Sequence, residues 1–180
     1  MKYDNVKWTV DTAHSSIDFS VKHMMVSKVK GAFQQFSAVV EADPTNLETA
    51  NIDFSIDVAS IDTRNADRDN HLRSADFFDV EQYPTMTFKA NKIVKTGEDE
   101  YNVTGDVTLH GVTREETFAV TFEGLAKDPM SGAEKIGFSA NGKIKRSDYG
   151  LTWNAALETG GVLVGDEIKV AIEIEAAKEA

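Results

Sequence analysis

Seven stretches of this chain alternate apolar with polar residues at a period of two, and this pattern constrains the fold more than any other feature. Such a period marks extended strands with one buried and one wetted face. Ile17, Phe19, Val21 and His23 alternate with Asp18, Ser20, Lys22 and Met24. Ile52, Phe54, Ile56 and Val58 form a second row, and Met86, Phe88 and Ala90 a third. Tyr101, Val103, Gly105, Val107 and Leu109 follow, then Phe118, Val120 and Phe122. Ile136, Phe138, Ala140, Gly142 and Ile144 form the sixth row, and Ile168, Val170, Ile172 and Ile174 the last. Segment 29–42 is also extended, but Phe33 and Phe36 stand three apart, which predicts a bulge near Gln34 and Gln35. With the short Trp8–Asp11 piece the expected count is eight or nine strands.

The connections carry turn residues, as in His110-Gly111-Val112-Thr113 and Asp128-Pro129-Met130-Ser131-Gly132. Short connections imply antiparallel neighbours. Only residues 63–84 break the pattern. There Asn65 fits an N-cap, Asp67 and Asp69 stand near the start of a helix, and His71 and Arg73 near its end. This predicts a short helix at about 66–74 and a helical turn at about 76–80, with Pro84 barring continuation. One short helix cannot cover a large sheet, so the sheet must cover itself. A sandwich and a closed barrel both do so. The preferred reading is an all-β, eight-stranded antiparallel barrel, which has room for one small ligand.

A chain of 180 residues fits a single domain, 1–180. It has no cysteine, which removes disulfides, thiolate metal sites and cysteine nucleophiles. Its formal charge of -11 repels phosphate backbones and anionic bilayers in general, so nucleic acid is not an expected partner. No run of 18 apolar residues exists, so stable membrane insertion is not expected. The first residues carry no apolar signal-peptide core. The expected compartment is the cytoplasm, or the periplasm or exterior if a leader has been removed.

Catalytic and metal motifs are absent from the sequence. His14, His23, His71 and His110 show no zinc spacing, and no Gly-x-Ser-x-Gly elbow occurs. The carboxylates fall on polar strand faces. Gly160-Gly161 lies in a glycine-rich stretch, 158–166, that no helix follows. It reads as a loop closing a barrel end. No catalytic residue, metal or cofactor is expected. What remains is apolar volume, with the small inward residues Ala90, Gly105, Ala140 and Gly142 as places where a lumen could stay unfilled.

His14-Ser15-Ser16-Ile17-Asp18-Phe19-Ser20-Val21-Lys22-His23 and Val29-Lys30-Gly31-Ala32-Phe33 resemble the opening of the YceI-like family. The resemblance continues through Ser60-Ile61-Asp62-Thr63, His71–Val80, Tyr83-Pro84-Thr85-Met86-Thr87-Phe88 and Gly105–Thr113. It ends with Arg146-Ser147-Asp148-Tyr149-Gly150-Leu151 and the 157–166 loop. It implies a lipocalin-like barrel of eight antiparallel strands with a helical segment packed outside. It also implies a long isoprenoid chain, such as a polyprenyl phosphate or an isoprenoid quinone, as the lumen ligand.

The expected function is non-enzymatic binding, transport or storage of a long apolar lipid. Strand alternation proposes Ile17, Phe19, Val21, His23, Phe33, Phe36, Ile56, Met86, Phe88, Val107, Phe122, Phe138 and Trp153 as the binding wall. A small-substrate enzyme using His23 as acid or base, and a filled barrel serving as a stress-response module, stay open as alternatives. So does a homodimer. If the ligand has an anionic head group, Lys22, Lys28, Lys30, Arg64, Arg68 and Arg73 are the cations to meet it; otherwise they are ordinary surface charges.

Overall fold

All seven alternating rows form strands, and the strands close on themselves. The computed structural model describes residues 5–155, 157 and 163–179. Among these run β1 (Val6–Val10), β2 (Ser16–His23), β3 (Ser27–Phe33), β4 (Phe36–Asp43), β5 (Asn46–Asp57) and β6 (Ile61–Asp62). Helix α1 (Ala66–Arg73) follows, then β7 (Thr85–Lys95), β8 (Glu100–Leu109), β9 (Val112–Lys127), β10 (Glu134–Lys145) and β11 (Glu167–Lys178). The order β1-β4-β5-β7-β8-β9-β10-β11 returns to β1, giving a closed antiparallel barrel of eight strands. β2, β3 and β6 extend the sheet from the same edge of β11.

The closing seam shows how the chain achieves this. β11 pairs with β1 through Ala176–Lys178 and with β2 through Lys169–Glu173. β1 and β2 are thus two halves of one staggered strand, interrupted by a 3-10 turn at Thr12–His14. β3 and β4 form a second such pair. The bulge expected near Gln34 and Gln35 is instead a complete break. β3 ends at Phe33 and pairs with β2 and β6, whereas β4 starts at Phe36 and pairs with β1 and β5. The freed amides of Gln34 and Gln35 donate to the carbonyl and hydroxyl of Ser60, at 3.1 and 3.0 Å. Register shifts occur elsewhere, at Glu41/Asp43, Ala90/Lys92 and Gly137/Phe138, and bend the long strands around the barrel.

Side-chain alternation then decides what is inside. In β8, Tyr101, Val103, Gly105, Val107 and Leu109 are all buried, and the residues between them are not. One end of the barrel is plugged by Trp8, Ile136, Ala42, Ala176 and Leu47, all fully or almost fully buried. The Trp8 indole nitrogen donates to the Ala42 carbonyl at 3.1 Å. The other end is covered by α1 and the segment after it. The Asn65 side chain accepts from the Arg68 amide at 3.0 Å and caps the helix. Buried Asp69 accepts from the amide and hydroxyl of Thr63. Arg68 and Arg73 donate to the carbonyls of Thr63, Ala59 and Ile61. These bonds tie a markedly polar helix to the barrel, and Leu72 and Phe78 pack onto Phe33, Ile56, Val58 and Ile61.

Candidate functional site

An apolar cavity of about 240 Å³ runs inside the barrel, from Ala42 and Leu47 at the plugged end to Leu72, Phe77 and Leu151 at the other. Nine residues of the proposed wall line it: Ile17, Phe19, Val21, Phe33, Ile56, Met86, Phe88, Val107 and Phe138. Four do not. His23 ends β2, pairs with Val164 and accepts the Val26 amide on its carbonyl, one inward position beyond Val21, the last of its row to line the cavity. Phe36 stands opposite Ile56 but packs at the edge of the Ile17–Ile61 cluster, beside a shallow depression with Gln35 and Pro84. Phe122 packs with Phe138 against the plug, their ring centroids 5.4 Å apart. Trp153 lies outside the strands and meets the rings of His71 and Phe77 at 4.8 and 5.1 Å.

Strand alternation accounts for only part of the wall. Leu72, Phe77 and Phe78 come from the helical segment, which therefore contributes to the wall and is more than an outer cover. Their one signal in the sequence is a pair of adjacent phenylalanines in an otherwise charged stretch. Tyr101, Val103 and Phe118 belong to rows already recognised. Of the small inward residues, Ala140 lines the cavity. Gly105 and Gly142 instead make room for neighbouring strands. A Cβ on Gly105 would run into the Lys89 carbonyl first and would also stand 2.7 Å from the Phe88 ring, and one on Gly142 would overlap the ring of Phe118. Residues 158–162 of the glycine-rich loop lie outside the described residues.

The polar residues along the cavity are few: Asp18, Thr87, Ser139, Arg146 and the phenol-bearing Tyr101. Arg146 is buried. Its guanidinium donates to the carbonyls of Gly165, Leu151, Trp153 and Val164 at 2.8, 2.8, 3.0 and 3.3 Å. Burial disfavours its charge, and nearby Asp166 opposes that effect. The arrangement fastens the segment after β10 to the segment before β11. Fully buried Tyr149 donates to Glu116 at 3.2 Å. Burial holds its hydroxyl well above the ordinary phenol value, with the Glu116 charge adding to the effect. Among the described residues no histidine lines the cavity.

Outside the barrel, Asp11, His14 and Glu175 bring three potential metal-ligand atoms within 4.8 Å. Lys135 Nζ stands 3.6 Å from the same Glu175 oxygen that faces His14 at 3.5 Å, so a cation already stands against the group and offsets part of its charge. The cluster reads as an ion-pair network. The hydrogen bond to Asp11, then the charges of Asp11 and Glu175, raise the His14 pKa above its ordinary value. Its stabilising share is therefore complete below the unfolded-state pKa and lost as pH rises through the folded one. An NMR titration should give a His14 pKa above that of a model peptide, and Asp11→Asn should remove most of the rise. An unchanged value in the variant would refute the assignment.

The sequence itself carries the lineage of this barrel. The model of the YceI-like domain matches residues 8–176. The chain belongs to the YceI-like family. Residues 8 and 176 both lie on the β1–β11 seam, so the match spans the closed barrel. The UPF0312 protein SA2479 of Staphylococcus aureus is 45% identical to this YceI-like chain over 162 residues, which are 90% of the chain and 92% of that protein. The structure of BcnA from Burkholderia cenocepacia superposes with a TM-score of 0.81 at 30% identity, covering 92% of this chain and 98% of the other. A polyisoprenoid binding domain from Saccharophagus degradans shares the fold, with a TM-score of 0.71 over 97% and 99% of the two chains, at 14% identity.

Proposed function

We propose that this YceI-like barrel is a non-enzymatic carrier or store for a long apolar lipid of the isoprenoid class, held along the barrel axis. One observation carries the reading: a continuous cavity that runs from the plug to the helical cover with an almost wholly apolar wall. Such a wall recognises hydrocarbon by burial. Burying ~10 ligand carbons contributes roughly 8 kcal/mol before the costs of association and ordering. The polyisoprenoid binding domain of the same fold supports an isoprenoid over other lipids. That no histidine lines the cavity among the described residues supports binding over acid–base chemistry.

Organic extraction of freshly purified protein followed by lipid mass spectrometry tests the reading directly. A stoichiometric long-chain lipid is expected, and none after expression in a lipid-rich host would count against it. A cavity-filling variant adds an independent check. Ala140 lines the cavity between Val120 and Ile172 on the flanking strands. Ala140→Trp should lower uptake of a fluorescent polyprenol by at least about tenfold while the protein stays folded, since the indole takes up existing space. Wild-type uptake in a folded variant would place the ligand elsewhere.

A further inference from the structure

The tip of the β2–β3 hairpin exposes three consecutive large apolar side chains. Met24 is 45% exposed, Met25 60% and Val26 84%. The tip does not use these residues for the sake of its turn. Met24 and Met25 adopt φ values of 52° and 62°, where glycine or asparagine is the usual occupant. The flanks are basic. Lys22 stands directly opposite Lys28, and Lys30 opposite Ser20. Like charges facing each other across a strand pair repel. Among the described residues none of the three lysines has a carboxylate within ion-pairing distance. In a chain of net charge -11 this is a local reversal of sign.

From these observations we infer that the β2–β3 hairpin docks the protein onto an anionic lipid bilayer, with Met24, Met25 and Val26 entering the interface and Lys22, Lys28 and Lys30 at the headgroups. Apolar side chains ringed by lysines are what such an interface accepts, and the lysines are drawn to its negative surface potential. A narrow tip of three side chains offers far less than the roughly 800 Å² per partner of a stable protein interface. Placement adds a consequence. The Met24 amide donates to the Leu163 carbonyl at 2.7 Å, and the Gly165 amide to the Lys22 carbonyl at 2.9 Å. Val21 and Val164, beside these bonds, line the cavity. Docking by the tip therefore sets this part of the barrel against the lipid surface. The inference does not require the cavity ligand to be an isoprenoid.

Vesicle flotation with the full chain tests it. Vesicles of phosphatidylcholine alone are compared with vesicles containing about one-third phosphatidylglycerol, at about 0.05 M and about 0.5 M salt. Binding is expected only to the anionic vesicles and should fall at least about tenfold at high salt, as charges become screened. The triple change Met24→Ser, Met25→Ser and Val26→Ser should abolish it, as should Lys22→Glu with Lys28→Glu. Met130→Ser, at a still more exposed methionine on the β9–β10 hairpin, should not. The inference is overturned if wild-type protein ignores anionic vesicles, or if both hairpin variants still float. It is also overturned if the hairpin changes only dissolve a protein complex seen by light scattering. The lipid content of each purified protein is measured in parallel and bears on the carrier reading alone.

Discussion

Trp8→Ala should lower stability by about 3–5 kcal/mol, because it empties the largest side chain of the plug. Trp8 is 1% exposed, and Val40, Ala42, Leu47, Ile136 and Ala176 pack in the same cluster. None of these can advance to fill the space, since each is fixed by its own strand. The substitution also leaves the Ala42 carbonyl without the indole bond. Trp8→Phe, which keeps most of the volume, should recover all but about 1–2 kcal/mol. Urea unfolding followed by circular dichroism measures both. Because Ala42 and Leu47 also line the cavity, Trp8→Ala should loosen its closed end. A loss below about 1 kcal/mol would mean that the plug does not hold the barrel closed.

Arg146→Leu should cost about 3 kcal/mol or more, despite replacing a buried charge by an apolar side chain. The guanidinium serves four carbonyls, those of Leu151, Trp153, Val164 and Gly165. Leucine leaves all four without these donors. Arg146→Lys keeps the charge but not the planar fork of donors, so it should recover less than half of the loss. Hydrogen exchange should localise the effect to the backbone around Leu151 and Val164. Uptake of a fluorescent polyprenol should fall as well, since both residues line the cavity. If Arg146→Lys matched the wild type, the charge would be what matters and the carbonyl network incidental. These two changes act at opposite ends of the barrel and should be nearly additive.

The features legible in the order of amino acids are mostly local. A period of two specifies an extended strand and its inward face, so the rows at Ile17, Ile56, Phe88, Val107 and Phe138 are legible without a structure. Short turns specify antiparallel neighbours, and Asn65 with its following acids specifies where the helix begins. That the sheet covers itself was legible too, because no other element could cover so many apolar rows. The choice of a barrel over a sandwich fell to the β1–β11 seam, a pairing between the two ends of the chain. Tertiary structure also decided how deep each inward residue lies. Alternation says which face a side chain takes and nothing about its height along the barrel axis, so Phe36 and Phe122 share inward rows with wall residues but miss the cavity. Gly105 admits the close approach of the Lys89 carbonyl and the Phe88 ring, and Gly142 the ring of Phe118, through contacts that join residues on different strands. The break at Gln34 and Gln35 depends on Ser60, distant in sequence, which takes up the freed amides. The roles of Leu72, Phe77, Phe78 and Arg146 likewise arise only where the helical cover and the segment after β10 meet the barrel end, since burial there is set by packing between elements and not by the period of any one of them.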